Sequence, residues 1–169
     1  MKTEERRRKI KELLNSKVPQ TGNNLAEILG VSRQVIVQDI AVLRAAGVEI
    51  LATPQGYLLP GSSDCFKRTF ACRHDLEGLE KELILMVDYG GKVIDVSIEH
   101  PMYGELRGYL MLSSRYDVQK YVRDLQNSGA QPLYTLTDSG VHLHTVEASS
   151  RQILDNIESA LAKEGFLLE

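Results

Sequence analysis

The chain has 169 residues, 43% apolar and 25% charged, with a net charge of −3, an ordinary globular balance that leaves room for one large or two small domains. Two cysteines, Cys65 and Cys72, are too few for a disulfide framework and point to a reducing intracellular setting. The longest apolar run, Leu83 to Val87, is far short of the roughly 20 residues that span a bilayer, and the charged opening MKTEERRRKIKELL reads against a signal peptide.

From Glu4 to Asn15 the apolar positions Ile10, Leu13 and Leu14 follow helical spacing, with Arg6, Arg7, Arg8, Lys9 and Lys11 around the rest. PQTGNN then supplies turn and capping residues before a short second helix with Leu25, Ile28 and Leu29 as its apolar stripe, and Gly30 stops it. Ser32 is a natural N-cap for a third helix that buries Ile36, Ile40 and Leu43 and ends at Gly47. The runs VEILAT and GYLL around the turn PQG read as a two-stranded hairpin. PGSSD, Pro60 to Asp64, is a short small-residue connection, and the domain division expected from it is 1–60, a linker at 61–67, and 68–169.

The second domain alternates strand and helix. A strand near Phe66 to Arg73 precedes a helix carrying Leu76, Leu79, Leu83 and Met86, and Gly90-Gly91 makes the turn. Next comes a strand with Ile94, Val96 and Ile98 on one face and Asp95, Ser97 and Glu99 on the other, then a strand from Glu105 to Leu112. A helix from Ser114 buries Val118, Tyr121, Val122 and Leu125, strands follow near Leu133–Leu136 and Val141–Val146, and a last helix carries Leu154, Ile157 and Leu161. The order is that of an α/β protein of the α+β kind, with helices gathered on one face of a mainly antiparallel sheet.

The first domain has the layout of a winged helix-turn-helix, whose third helix enters the DNA major groove. With Ile36, Ile40 and Leu43 turned inward, that helix presents Ser32, Arg33, Gln34, Val35, Val37 and Gln38. Arg33 suits guanine or a phosphate, Gln34 and Gln38 suit adenine, and the valines suit a thymine methyl, while Thr21 and Gly22 offer a helix N-terminus to a phosphate. Residues 1–60 carry nine Lys/Arg and six Asp/Glu, so +3 faces −6 in the remainder, the split of a nucleic-acid reader joined to a sensor. So small a reader on double-stranded operator DNA implies two copies on a two-fold site, hence a homodimer.

All four histidines, His74, His100, His142 and His144, lie in the second domain. His142 and His144 form an H-x-H pair, and the period of two along a strand sends both imidazoles to one face. Neutral imidazole suits zinc, nickel, copper or iron, and His74 with an acidic residue of LEGLEKEL could complete such a site. His100, before Pro101, suits either a ligand or a turn, and Cys65 and Cys72 read as small buried residues. No phosphate loop, nucleophile elbow or H-E-x-x-H is present, so no enzyme activity is expected.

In order, SRQVIVQDIAVLRAAG, ILATPQGYLL, CRHDLEGLEKEL, IEHPMYGEL, SSRYDV and VHLHTVEA resemble the niacin-responsive transcriptional repressors, in which a biotin-repressor-like winged helix precedes a three-histidine (3H) domain. The resemblance covers nearly the whole chain. It implies a cytoplasmic homodimeric repressor of niacin-uptake and NAD-biosynthesis genes with nicotinic acid as co-repressor, and an HPr-like fold for the second domain. It also implies a divalent transition metal, nickel, zinc or iron, held by His74, Glu82, His142 and His144. In one straight helix His74 and Glu82 would stand about 12 Å apart along the axis, so His74 must precede the helix and fold back; otherwise Glu77 or Glu80 takes the place. For the nicotinate, whose carboxylate wants a cation, the candidates are His100, Tyr103, Arg73 and Arg115.

Overall fold

The computed structural model describes residues 2–61 and 64–168, and the chain divides into two units, Met1–Ser63 and Asp64–Glu169. Ser62 and Ser63 of the PGSSD connection lie outside the described residues.

In the first unit α1 (Thr3–Leu13), α2 (Gly22–Leu29) and α3 (Arg33–Ala45) precede a hairpin of β1 (Leu51–Thr53) and β2 (Gly56–Leu58). Local chemistry sets the boundaries: the Thr21 hydroxyl accepts from the Asn24 N–H, the Ser32 hydroxyl accepts from the Val35 N–H, and Gly30 ends α2 at φ 65°. Ile10, Leu25 and Ile36 are fully buried at the centre, each worth about 1.5–3 kcal/mol relative to exposure. Ile28 does not join them. It is 53% exposed, and Ala26 takes the inward place beside Leu25 and Leu29.

Arg6 and Arg7 of α1 both turn toward Asp39 of α3, at 2.5 and 2.9 Å, and they hold this buried carboxylate below the ordinary aspartate range although its burial acts the other way. The hairpin is pinned to the turn before α2, because Gln20 and Tyr57 exchange two main-chain hydrogen bonds. Gly56 permits that approach: a Cβ there would stand 2.6 Å from the Gln20 carbonyl oxygen, and its φ is 134°.

The second unit comprises β3 (Phe66–Cys72), α4 (Gly78–Asp88), β4 (Lys92–His100), β5 (Gly104–Leu112), α5 (Arg115–Ser128), a 3-10 turn (Leu133–Leu136), β6 (His142–Ala148) and α6 (Arg151–Lys163). The sheet is antiparallel throughout, in the order β3-β6-β4-β5, and its core face packs Phe70, Val93, Val96, Leu112 and Val146 against Leu83, Met86, Val118, Leu154 and Ile157 of the helices.

Two expectations change here. Leu133–Leu136 is a 3-10 turn and not a strand, because the Thr135 and Thr137 hydroxyls donate back to the Pro132 and Tyr134 carbonyls. In β4 a bulge falls at Ile94, so Val93, fully buried, takes the core position assigned to Ile94.

Candidate metal centre and nucleic-acid interface

Glu82 lies among Leu79, Leu83 and Met86, on the inward side of α4, and is fully buried. His142 and His144 project from β6 on the same face of the sheet, opposite Cys72 and Phe70 of β3. His74 stands between β3 and α4, and the chain folds back so that its ring meets Glu82 one helical turn in. Asp75 shapes that return, its carboxylate and its carbonyl both accepting from the Gly78 N–H. The ring then rests on Gly78, where a Cβ would come within 2.7 Å of the His74 Cβ.

Three imidazole nitrogens surround one carboxylate oxygen. The Nε2 atoms of His74, His144 and His142 lie 2.8, 3.2 and 3.4 Å from Glu82 Oε2, with all four side chains 0–2% exposed. Each ring is fixed from behind: the Nδ1–H of His74 donates to the Asp75 carbonyl at 2.6 Å, that of His142 to Gly140 at 2.9 Å, and that of His144 to Asp95 at 2.9 Å. A carbonyl can only accept, so the proton of each neutral ring belongs on Nδ1 and the Nε2 lone pair faces inward.

Three lone pairs and a carboxylate aimed at one another repel unless positive charge enters. Burial pushes the Glu82 carboxyl up, yet the His144, His142 and His74 imidazoles hold it well below the usual carboxylate range. Burial likewise opposes charge on His74 and His144, and the Glu82 carboxylate raises both above the ordinary histidine value. Among the described residues Glu82 Oε1 and His144 Nε2 make no hydrogen bond, although His144 Nε2 stands 3.2 Å from Glu82 Oε2. These two buried atoms with lone pairs to offer, and ligand atoms of His74, Glu82 and His142 within 4.8 Å of one another, make a set that suits a transition cation.

In the N-terminal unit Arg33 packs over Gly22, where a Cβ would meet its side chain at 3.5 Å, and both border a shallow cavity of about 290 Å3 with Thr21, Thr53, Pro54 and Tyr57. Ser32, Gln34, Val37 and Gln38 are exposed on the outward side of α3, and Val35 is half-buried. The N-terminus of α2, the start of α3 and the hairpin tip thus lie together on one surface.

Residues 67–169 match the model of the 3H domain family, and residues 6–58 match a helix-turn-helix domain. The chain is 46% identical to the probable transcription repressor NiaR of Thermotoga maritima, over 100% of this chain and 98% of that protein. It is 42% identical to the transcription repressor NadR of Bacillus subtilis, over 93% of this chain and 89% of that protein. The chain belongs to the NiaR-type transcription repressors. These relatives are named as repressors and not as enzymes, in agreement with the sequence reading.

The four side chains that converge in this NiaR-type chain all belong to its 3H domain. The four residues considered for a nicotinate do not gather in the same way. His100 Nδ1 accepts from the Met102 and Tyr103 N–H groups, and its ring stacks on Tyr103 at 5.0 Å, so it closes the turn between β4 and β5. Tyr103 is 76% exposed. The Arg115 guanidinium forms a two-pronged pair with Asp88, at 2.5 and 2.7 Å. Arg73 is exposed, its side chain beside Gly140, whose carbonyl holds His142.

Tyr134 was missed by the sequence reading, which placed it in a strand. Its buried ring stacks on His142 at 5.0 Å and meets the His74 ring edge-on at 5.1 Å, walling the centre. Cys72 is buried, and burial together with the Glu82 charge pushes its thiol up, while Cys65 is exposed, contrary to expectation.

Proposed function

We propose that the chain is a cytoplasmic, niacin-responsive repressor that binds operator DNA as a homodimer, with nicotinic acid as co-repressor and a divalent transition ion in the 3H domain. The observation that carries the metal part is the inward convergence of three tautomer-fixed Nε2 atoms on Glu82, with Oε1 and His144 Nε2 unpartnered. His74, Glu82, His142 and His144 would hold the ion, in the mixed nitrogen and oxygen environment that nickel, zinc and iron accept. An ion bound there would supply the positive charge that offsets the three inward lone pairs and the Glu82 carboxylate. No helix among the described residues is long and apolar enough to cross a membrane.

For DNA, Arg33, Gln34, Val37 and Gln38 would read base edges from α3, and Thr21 and Gly22 would take a phosphate at the start of α2. The co-repressor reading draws on the family resemblance and the two repressor relatives. Its test is operator affinity with and without nicotinic acid at fixed metal. Tighter binding with nicotinic acid is expected. Affinity that follows the metal and ignores nicotinic acid would replace the co-repressor by a metal-sensor reading.

A further inference from the structure

We propose that Arg107, on the sheet face turned away from the helices, is a positioning residue for the metal centre, acting through Asp95 on the His144 ring. The inference rests on reading the His74, Glu82, His142 and His144 cluster as a metal site.

The link runs through one residue of β4. On the core side the Asp95 main-chain carbonyl accepts from the His144 Nδ1–H at 2.9 Å and so sets the direction in which Nε2 points. The β4 bulge brings it there: the register passes from Val93 to Asp95 while β6 advances only from Val146 to Thr145, and at this break in the ladder a strand carbonyl meets a side chain.

On the opposite face the Asp95 carboxylate makes two further connections. Oδ1 accepts from the N–H of Thr145, the residue after His144, at 3.1 Å, and Oδ2 pairs with the Arg107 guanidinium reaching across from β5. Asp95 therefore holds His144 twice, by the ring from within and by the adjoining main chain from without.

Asp95 is 3% exposed, and a carboxylate so buried needs a countercharge beside it to offset its lost hydration. Arg107 provides that charge and is itself held by Glu105, at 2.7 and 3.2 Å. Without Arg107 the carboxylate loses its cross-strand partner and turns toward water. That movement loosens Thr145 and the bulge, and with them the His144 ring. Metal-ligand distances tolerate only about 0.2 Å, so a small rotation of the ring is costly to binding.

The test titrates Zn2+ against a chromophoric chelator with the full chain as wild type, R107A, R107K and R68A. R68A removes an arginine paired instead with Asp155 and Glu158. In parallel, the His144 Nδ1–H resonance is followed in metal-free protein. R107A should weaken Zn2+ binding about 10–100-fold and shift that resonance. R107K, which keeps the charge and loses the planar fork, should cost about threefold to tenfold. R68A should match wild type in both readouts. Wild-type affinity in R107A or R107K with an unmoved resonance overturns the inference; if R107A does not fold, R107K decides. A wild type that binds no Zn2+ removes the metal reading, and a resonance that still moves in R107A would uphold the role of Arg107 toward His144.

Discussion

Gly78→Ala tests how the His74 ring reaches Glu82. The added Cβ would stand 2.7 Å from His74 Cβ, 2.8 Å from Cγ and 3.0 Å from Nδ1. Carbon pairs settle at about 3.5–4.0 Å, so the histidine must retreat by about 0.8 Å or more. Gly78 is outside the left-handed backbone region, so the cost is one of space. Crowding of this kind costs about 1–3 kcal/mol and alanine regains at most about 1 kcal/mol in helix propensity, so the metal-free fold loses about 0–3 kcal/mol. Metal binding has no such compensation. A displacement of about 0.8 Å is four times the tolerance of a coordination bond, and a loss of about 100-fold in affinity is expected. At an ion concentration 100 times the wild-type Kd, the ion stabilises wild type by about 2.7 kcal/mol and the variant by about 0.4 kcal/mol. Chelator competition and thermal melts with and without Zn2+ measure both quantities. Equal affinities, or an equal gain in Tm on adding Zn2+, would refute the steric argument.

Four other outcomes follow from the same geometry. The double variant H142A/H144A should lose bound metal as read by elemental analysis, and retention of the ion would mean the ligands lie elsewhere. In ion-free protein His74 and His144 are raised, so their contribution to stability is full below the ordinary histidine value and is lost as pH rises through their raised values. Ion-loaded protein should show the opposite slope over that window, because the ion needs both rings deprotonated, and parallel slopes in urea unfolding would contradict this. Asp39 is lowered by Arg6 and Arg7, so its contribution is present above the ordinary aspartate value and is lost as pH falls through the lowered one. D39N should flatten that acid limb in the N-terminal unit, and an unchanged limb by circular dichroism would rule Asp39 out. R33A should weaken operator binding by about 1–3 kcal/mol, and gel-shift affinities equal to wild type would show that α3 reads DNA through another face.

The helices of the N-terminal unit were legible because their boundaries are local: Thr21, Ser32 and Gly30 cap or stop helices with chemistry contained in a few residues. Ile28 was misplaced because in an eight-residue helix the apolar spacing leaves open whether Ala26 or Ile28 turns inward. The strand read at Leu133–Leu136 followed β-prone side chains, but Pro132 ahead of it and two threonine hydroxyls bonding back to carbonyls favour a tight turn.

Within the site, the common direction of His142 and His144 follows from strand alternation alone. Glu82 was also within reach, since Leu79, Glu82, Leu83 and Met86 share helical spacing and place a carboxylate on an apolar stripe. The meeting of His74 with Glu82 depends on a loop reversing against Gly78, and the hold on His144 depends on the Asp95 carbonyl, 49 residues away in sequence and freed by the bulge. Both are products of tertiary packing, as is the stacking of Tyr134 on His142. The pairing of Arg6 and Arg7 with Asp39 is likewise a product of tertiary packing, the partner lying 33 and 32 residues away in sequence.

Anomalous diffraction at the metal edge, from crystals of the protein loaded with one equivalent of Zn2+, tests the central claim most directly. The expected result is a single peak per chain, about 2.0–2.2 Å from His74 Nε2, His142 Nε2, His144 Nε2 and a Glu82 carboxylate oxygen. A map with no peak among these four side chains, or with the ion held by other residues, would contradict it.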